Sequence, residues 1–178
     1  MLTESDLLPL ALNLDSNALA QIYDLYSPAI YRYAMRLLGN TSLAEECVAE
    51  TFSRLLQILH AGKGPREHLQ AYLYRVAHNW ITDQYRRELP AEELSEMMPA
   101  GIETPEELSV LHIRQAHLRE AIQQLTPDQQ QVIALKYLED FDNEEIARTT
   151  RKPIGAVKAL QHRALASLQR LLLEKELV

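Results

Sequence analysis

Asp142-Asn143-Glu144-Glu145-Ile146-Ala147-Arg148-Thr149-Thr150-Arg151-Lys152-Pro153-Ile154-Gly155-Ala156-Val157-Lys158 reads as a short helix, a tight turn and the start of a longer helix. Asp142 can cap the first helix while Glu145, three positions on, reaches back to it. Ile146 and Ala147 are its inward positions. The turn falls at about Thr150–Lys152, and the next helix begins near Pro153 and continues past Leu168. Helix, tight turn and longer helix make a helix-turn-helix. Upstream, Leu118–Leu125 is a short amphipathic helix. Thr126 then caps another, with Pro127 at its first position and Gln129 at its third. Val132, Ile133, Leu135 and Leu138 supply that helix's apolar face.

Charge divides sharply at the motif. Glu139–Glu145 holds five acids and no base, whereas Ile146–Leu173 holds Arg148, Arg151, Lys152, Lys158, Arg163 and Arg170 and no acid. In the last helix Ile154, Val157, Leu160, Ala164, Leu165 and Leu168 are expected to face inward. Gly155, Lys158, Ala159 and His162 are expected to face outward, with Arg163 at the edge. Small residues beside long donors let a helix approach the major groove closely. The same pattern also fits a plain amphipathic terminal helix.

The first half of the chain predicts three helices. Between Asn17 and Tyr33, Leu19, Ile22, Tyr23, Tyr26 and Ile30 recur at helical spacing, with Pro28 as a kink or a division. Gly39-Asn40-Thr41-Ser42 punctuates the chain, and Thr41 or Ser42 can cap the next helix. The next helix, about Leu43–Leu59, has Cys47, Val48, Phe52, Leu55, Leu56 and Leu59 as its core stripe. Ala61-Gly62-Lys63-Gly64-Pro65 breaks it, and a third helix covers about Glu67–Arg87. That helix carries two stripes. Leu69, Tyr72, Leu73, Val76 and Trp80 form an apolar face. Arg75, Asn79, Thr82 and Arg86 form a second, either a solvated side or a face for phosphates and base edges.

The 178 residues allow one ordinary domain or two small ones. Five glycines among abundant Leu, Ala, Gln, Glu and Arg point to an all-α chain. No apolar run reaches the ~18–20 residues of a membrane span, and acids stand where a signal peptide needs positive charge. Membrane insertion is therefore not expected, and the expected location is cytoplasmic. The single cysteine, Cys47, excludes an internal disulfide and a Cys-rich zinc site. It reads as a small buried hydrophobe. The six histidines show no metal-ligand spacing, so no metal and no cofactor is assigned. The net charge of −7 is unevenly spread: residues 1–88 carry −2, residues 89–111 carry −6, and residues 112–178 carry +1. The acidic stretch, rich in proline, reads as a linker between two helical domains, or as a solvated loop.

At this point the chain resembles the extracytoplasmic-function (ECF) sigma factors, the minimal two-domain bacterial sigma subunits. Four motifs carry the resemblance. Ala44-Glu45-Glu46-Cys47-Val48-Ala49-Glu50-Thr51-Phe52 resembles the family's core-polymerase-binding helix. Ala71-Tyr72-Leu73-Tyr74-Arg75-Val76-Ala77-His78-Asn79-Trp80, continuing to Arg87, resembles its −10 helix. Leu125-Thr126-Pro127-Asp128-Gln129-Gln130-Gln131-Val132 resembles the start of the second domain. Asn143–Ala147 with Pro153–Lys158 and Gln161–Ala164 resembles its helix-turn-helix.

The resemblance implies a region 2-like domain at 1–88, a linker at 89–111 and a region 4-like domain at 112–178. It implies core polymerase contacts at Glu46, Glu50 and Thr51. It places Arg75, Asn79 and Arg86 on the −10 element: the loop at His60–His68, with Asn79, would hold a flipped base, and the arginines phosphates. Lys158, His162 and Arg163 would read the −35 element, with Lys136 on the DNA backbone. The linker would thread the RNA path. The implied partners are core RNA polymerase, promoter DNA and an anti-sigma factor. No catalytic residue is implied, and the chain is not expected to be an enzyme. The short tail after Leu171 leads us to expect no fused sensor domain.

The chain departs from the family pattern in places. Arg151 stands where the turn often has glycine, and a left-handed backbone there would strain it by about 1 kcal/mol. Ala49 replaces a common Gln, and Ala159 and Leu160 stand where Ser and Arg are frequent. Two other functions fit the residues less fully: a sigma-like decoy that sequesters an anti-sigma factor, and a helix-turn-helix repressor. The second leaves the Arg75–Arg87 stripe and the acidic stretch unexplained.

Overall fold

The computed structural model describes residues 3–87 and 105–176, and among them all regular structure is helical. The first group is α1 (Glu4–Leu12), α2 (Ser16–Leu38), α3 (Thr41–His60) and α4 (Leu69–Arg86). The second is α5 (Pro105–Gln123), α6 (Pro127–Tyr137), α7 (Asn143–Thr150) and α8 (Ile154–Glu176). The chain is all-α, as its composition indicates.

In the first group α2 packs on α1, α3 and α4, and α3 on α4. Tyr33, Tyr74, Ile22, Ile30, Leu37, Leu55, Leu69, Leu73 and Ile81 are its largest fully buried side chains. α2 runs unbroken through Pro28. It ends at Gly39, which takes φ +64° and donates to the Met35 carbonyl. Such a left-handed C-cap costs glycine little. Asn40, not the expected Thr41 or Ser42, caps α3 by accepting from the Leu43 amide, because the helix already begins at Thr41. Helix α1 was not foreseen. Its nine residues start at a Thr3–Asp6 capping box, and Leu7, Leu8 and Ala11 anchor it in the core.

In the second group α6, α7 and α8 pack on one another, and α5 lies along α8. Val132, Leu135, Ile146 and Val157 are fully buried there. The two foreseen capping boxes are present. Thr126 accepts from the Gln129 amide and Asp142 from the Glu145 amide, while each partner's side chain takes the cap's own amide. Each such cap contributes ~1 kcal/mol.

The sequence places the linker at 89–111 and the next helix at Leu118–Leu125. Helix α5 begins instead at Pro105, inside the acidic stretch. Proline suits the first helical position. The remainder, 89–104, lies outside the described residues.

The two groups meet. α4 packs against α7 and α2 touches α5, so one cluster of buried side chains runs through both. No helix among the described residues is long and apolar enough to cross a membrane.

Candidate nucleic-acid and polymerase interfaces

The helix-turn-helix is built from its turn. Helix α7 ends at Arg151 with φ +56° and ψ +37°, and the Arg151 amide donates to the Ala147 carbonyl. This is the left-handed cap foreseen at a position where glycine is easier. Lys152 closes the turn through an ion pair of 2.9 Å with Asp128. Gln161 Nε2 donates to Asn143 Oδ1 at 2.8 Å and ties α8 to the start of α7. With Val157, Leu160, Ala164 and Leu168 buried, α8 turns Gly155, Lys158, Ala159, His162 and Arg163 outward. A Cβ at Gly155 would meet nothing within 4 Å, so this face is open. Lys136, on α6, is half-buried. Two expected core positions of α8 lie outside instead: Ile154 is 40% exposed and Leu165 44%. Both sit at the margin of the buried stripe, where a narrow seam leaves large side chains uncovered.

The α4 stripe is divided. Asn79 and Arg86 are exposed, and Arg86 lies 3.7 Å from Asp83. Thr82 is buried, with its hydroxyl unpartnered. Arg75 is half-buried. Its Nη1 donates to the Thr149 carbonyl on α7 at 3.4 Å, and its guanidinium lies 5.6 Å from the Tyr72 ring centre. Burial, and then the neighbouring Arg151 charge, lower the Arg75 pKa from its ordinary value. The His60–His68 loop is largely exposed and ends at His68, which takes φ +54° before α4.

On α3, Glu46 is exposed, and Glu50 is half-exposed and bound to Arg54 Nε at 2.7 Å. Thr51 is not a surface residue: it is fully buried. It follows Cys47 by four positions and precedes Leu55 by four, so it belongs to the inward row. Leu56, expected in the core, is 40% exposed for the converse reason. Cys47 is fully buried, and burial pushes its thiol up to about 12. It is inert packing. Between α2 and α3 lies an open groove of about 350 Å³, lined by Tyr23, Ser27, Pro28, Tyr31, Arg32, Glu45 and Val48. Tyr23 stands beside Phe52 there, with ring centres 4.8 Å apart. The sequence reading assigned no role to Glu45 or Arg32.

The profile described as sigma-70 region 2 matches residues 22–89, and the one described as sigma-70, region 4, matches residues 116–168. The chain belongs to the ECF sigma factors. It is 33% identical over 162 residues to the ECF RNA polymerase sigma factor BldN of Streptomyces coelicolor, with 89% of the chain and 61% of BldN covered. Against SigW of Bacillus subtilis it is 29% identical over 169 residues, covering 88% of the chain and 89% of SigW. Among solved structures it resembles CnrH in complex with the cytosolic domain of CnrY. That match has a TM-score of 0.71 at 20% identity, covering 95% of this chain and 96% of the other. It also resembles RpoE of Bartonella quintana in complex with the anti-sigma factor NepR, with a TM-score of 0.59 at 23% identity, covering 86% and 95%. These two likenesses concern the fold. The region 2 match runs from within α2 through α4, and the region 4 match from the last two turns of α5 through the buried part of α8.

Proposed function

We propose that this chain binds core RNA polymerase, directs it to promoters by reading −10 and −35 elements, and helps to open the DNA. The observation that carries the reading is the outward face of α8. A fixed turn presents Lys158, His162 and Arg163 beside Gly155 and Ala159, the small-and-basic surface that a major groove admits. Exposed Asn79 and Arg86 on α4, with the His60–His68 loop, supply the −10 side, and Arg75 joins them once uncovered. Lys136 holds the backbone. On α3, Glu46 and Glu50 face the polymerase beside the α2–α3 groove, whereas buried Thr51 only supports that face. We divide the chain into a region 2-like unit, a connecting stretch and a region 4-like unit that starts at α5. The chemistry belongs to the polymerase, in the cytoplasm, and this chain contributes recognition. RpoE was solved with an anti-sigma factor. A partner of that class fits this chain also.

The test is transcription from fragmented genomic DNA by sigma-free core polymerase with and without the protein, followed by sequencing of RNA 5′ ends. Discrete starts that need the protein and share upstream elements are expected. Lys158→Ala should weaken promoter binding about tenfold and leave polymerase binding unchanged, since one base contact is worth ~1–3 kcal/mol. Equal loss of both, or starts independent of the protein, would refute the reading.

A further inference from the structure

The contact between α4 and the second unit is polar, specific and centred on one carboxylate. Glu139, nine per cent exposed, takes Arg36 Nη1 on Oε1 at 3.0 Å and the Tyr74 hydroxyl on Oε2 at 2.6 Å. Arg36 also donates to the Leu138 carbonyl. The Tyr74 ring meets Phe141 edge-on, with centres 5.0 Å apart. His78 Nε2 lies 3.2 Å from the Pro127 carbonyl, and Arg75 donates to Thr149. At the far edge the Arg119 side chain lies against Gly39, so close that a Cβ there would come within 2.7 Å of its Nε. Two helices of the first unit, α2 and α4, therefore meet α5, α6, α7 and the loop between α6 and α7.

This arrangement cannot be the promoter-bound one. Centres at −10 and −35 are 25 base pairs apart, about 85 Å along a duplex at ~3.4 Å per pair. Side chains of the two units here are in hydrogen-bond contact. Closure also occupies Arg75, a −10 phosphate donor. It leaves the α8 face and the exposed side of α3 uncovered.

We propose that the free protein is autoinhibited by this closure, with Glu139 as the latch: it clamps region 4 onto α2 and α4, covers Arg75, and releases when polymerase and promoter hold the units apart. The proposal rests on the sigma-factor reading, and it adds a regulatory contact made by the chain with itself. It accounts for a carboxylate held by two partners 65 and 103 residues away in a place where a solvated acid would cost nothing.

The experiment uses the full chain, with fluorophores on Gln21→Cys and Ala166→Cys, both exposed positions, while Cys47 stays buried. Single-molecule transfer should show one short distance in the free protein, lengthening by tens of ångströms on addition of core polymerase and promoter DNA. Glu139→Gln should lower the closed-to-open ratio about tenfold, the scale of a hydrogen bond to a charged group. Tyr74→Phe, which removes a single oxygen, should act in the same direction. Circular dichroism confirms that each variant is folded. A long distance in the free wild-type protein, or a ratio unchanged in both folded variants, would overturn the latch while protein-dependent transcription starts persist. Loss of those starts would overturn the function and the latch together.

Discussion

Arg151 shows at the scale of one residue how the motif was legible and where it is strained. The helix-turn-helix needs a left-handed residue between α7 and α8, and the backbone at Arg151 supplies it at φ +56°. A non-glycine residue there costs about 1 kcal/mol. Its side chain is exposed, and its charge opposes that of Arg75 nearby. Arg151→Gly should therefore stabilise the protein by ~1 kcal/mol, or roughly 2–4 °C in Tm. Denaturant titration of the two proteins side by side checks this. A loss of stability would mean that the arginine side chain contributes more than its backbone costs. Thr51 gives the opposite lesson. A polar residue beside Glu50 reads as surface, and only its four-residue offset from Cys47 and Leu55 shows that it is interior.

Among the elements, the sequence gives no sign of α1 and places α5 thirteen residues late at its start and two late at its end. Both failures have a physical cause. Helix α1 is nine residues with a proline inside, and it persists through tertiary packing of Leu7, Leu8 and Ala11. On α5, Val110, Ile113 and Leu118 are exposed, so no single apolar stripe marks the helix. By contrast α3, α6 and α7 carry caps and clean stripes, and their positions were readable to within a few residues. Helix α1 has a definite task. Helix α4 starts at His68 without a side-chain cap of its own, and Glu4 of α1 supplies one: its Oε1 accepts from the Leu69 amide at 2.9 Å, and Oε2 accepts from the Tyr26 hydroxyl. One carboxylate thus joins α1, α2 and the start of α4. Glu4→Ala should cost ~1–2 kcal/mol in denaturant unfolding, the range of a lost cap. It should also slow promoter opening followed by permanganate reactivity, because the His60–His68 loop ends at the amide that Glu4 holds. Unchanged unfolding would show that water replaces the carboxylate.

At the scale of the whole molecule, a sequence pattern shows which residues face inward but not which unit they face. Tyr74 and His78 belong to one motif and Glu139 to the acidic run before the helix-turn-helix, and nothing in either brings them together. Yet His78 is the best placed residue to report on the assembled state. It is 2% exposed, with Nδ1 2.8 Å from the Tyr33 hydroxyl and Nε2 at the Pro127 carbonyl. A carbonyl only accepts, so Nε2 carries the proton, and neutral Nδ1 accepts from Tyr33. A second proton must enter at Nδ1, break that bond and place a charge in the interior. Burial accordingly lowers the His78 pKa to about 4 from 6.5, although the Pro127 carbonyl and the Asp128 carboxylate oppose the shift. Between those two values the unfolded chain binds a proton that the folded chain refuses. The folded state is thus at full advantage above about pH 6.5 and loses it progressively as the pH falls toward 4, by ~3 kcal/mol in all. Carboxylates titrate in the lower part of that window, so the informative quantity is a difference. Unfolding free energies of the wild type and of His78→Gln, measured from pH 7.5 to 4.5, should diverge at the high end and converge at the low end. Parallel curves would mean that His78 takes up its proton equally readily in the folded and unfolded chain, and that the Tyr33–His78–Pro127 chain of hydrogen bonds does not join the two units in solution.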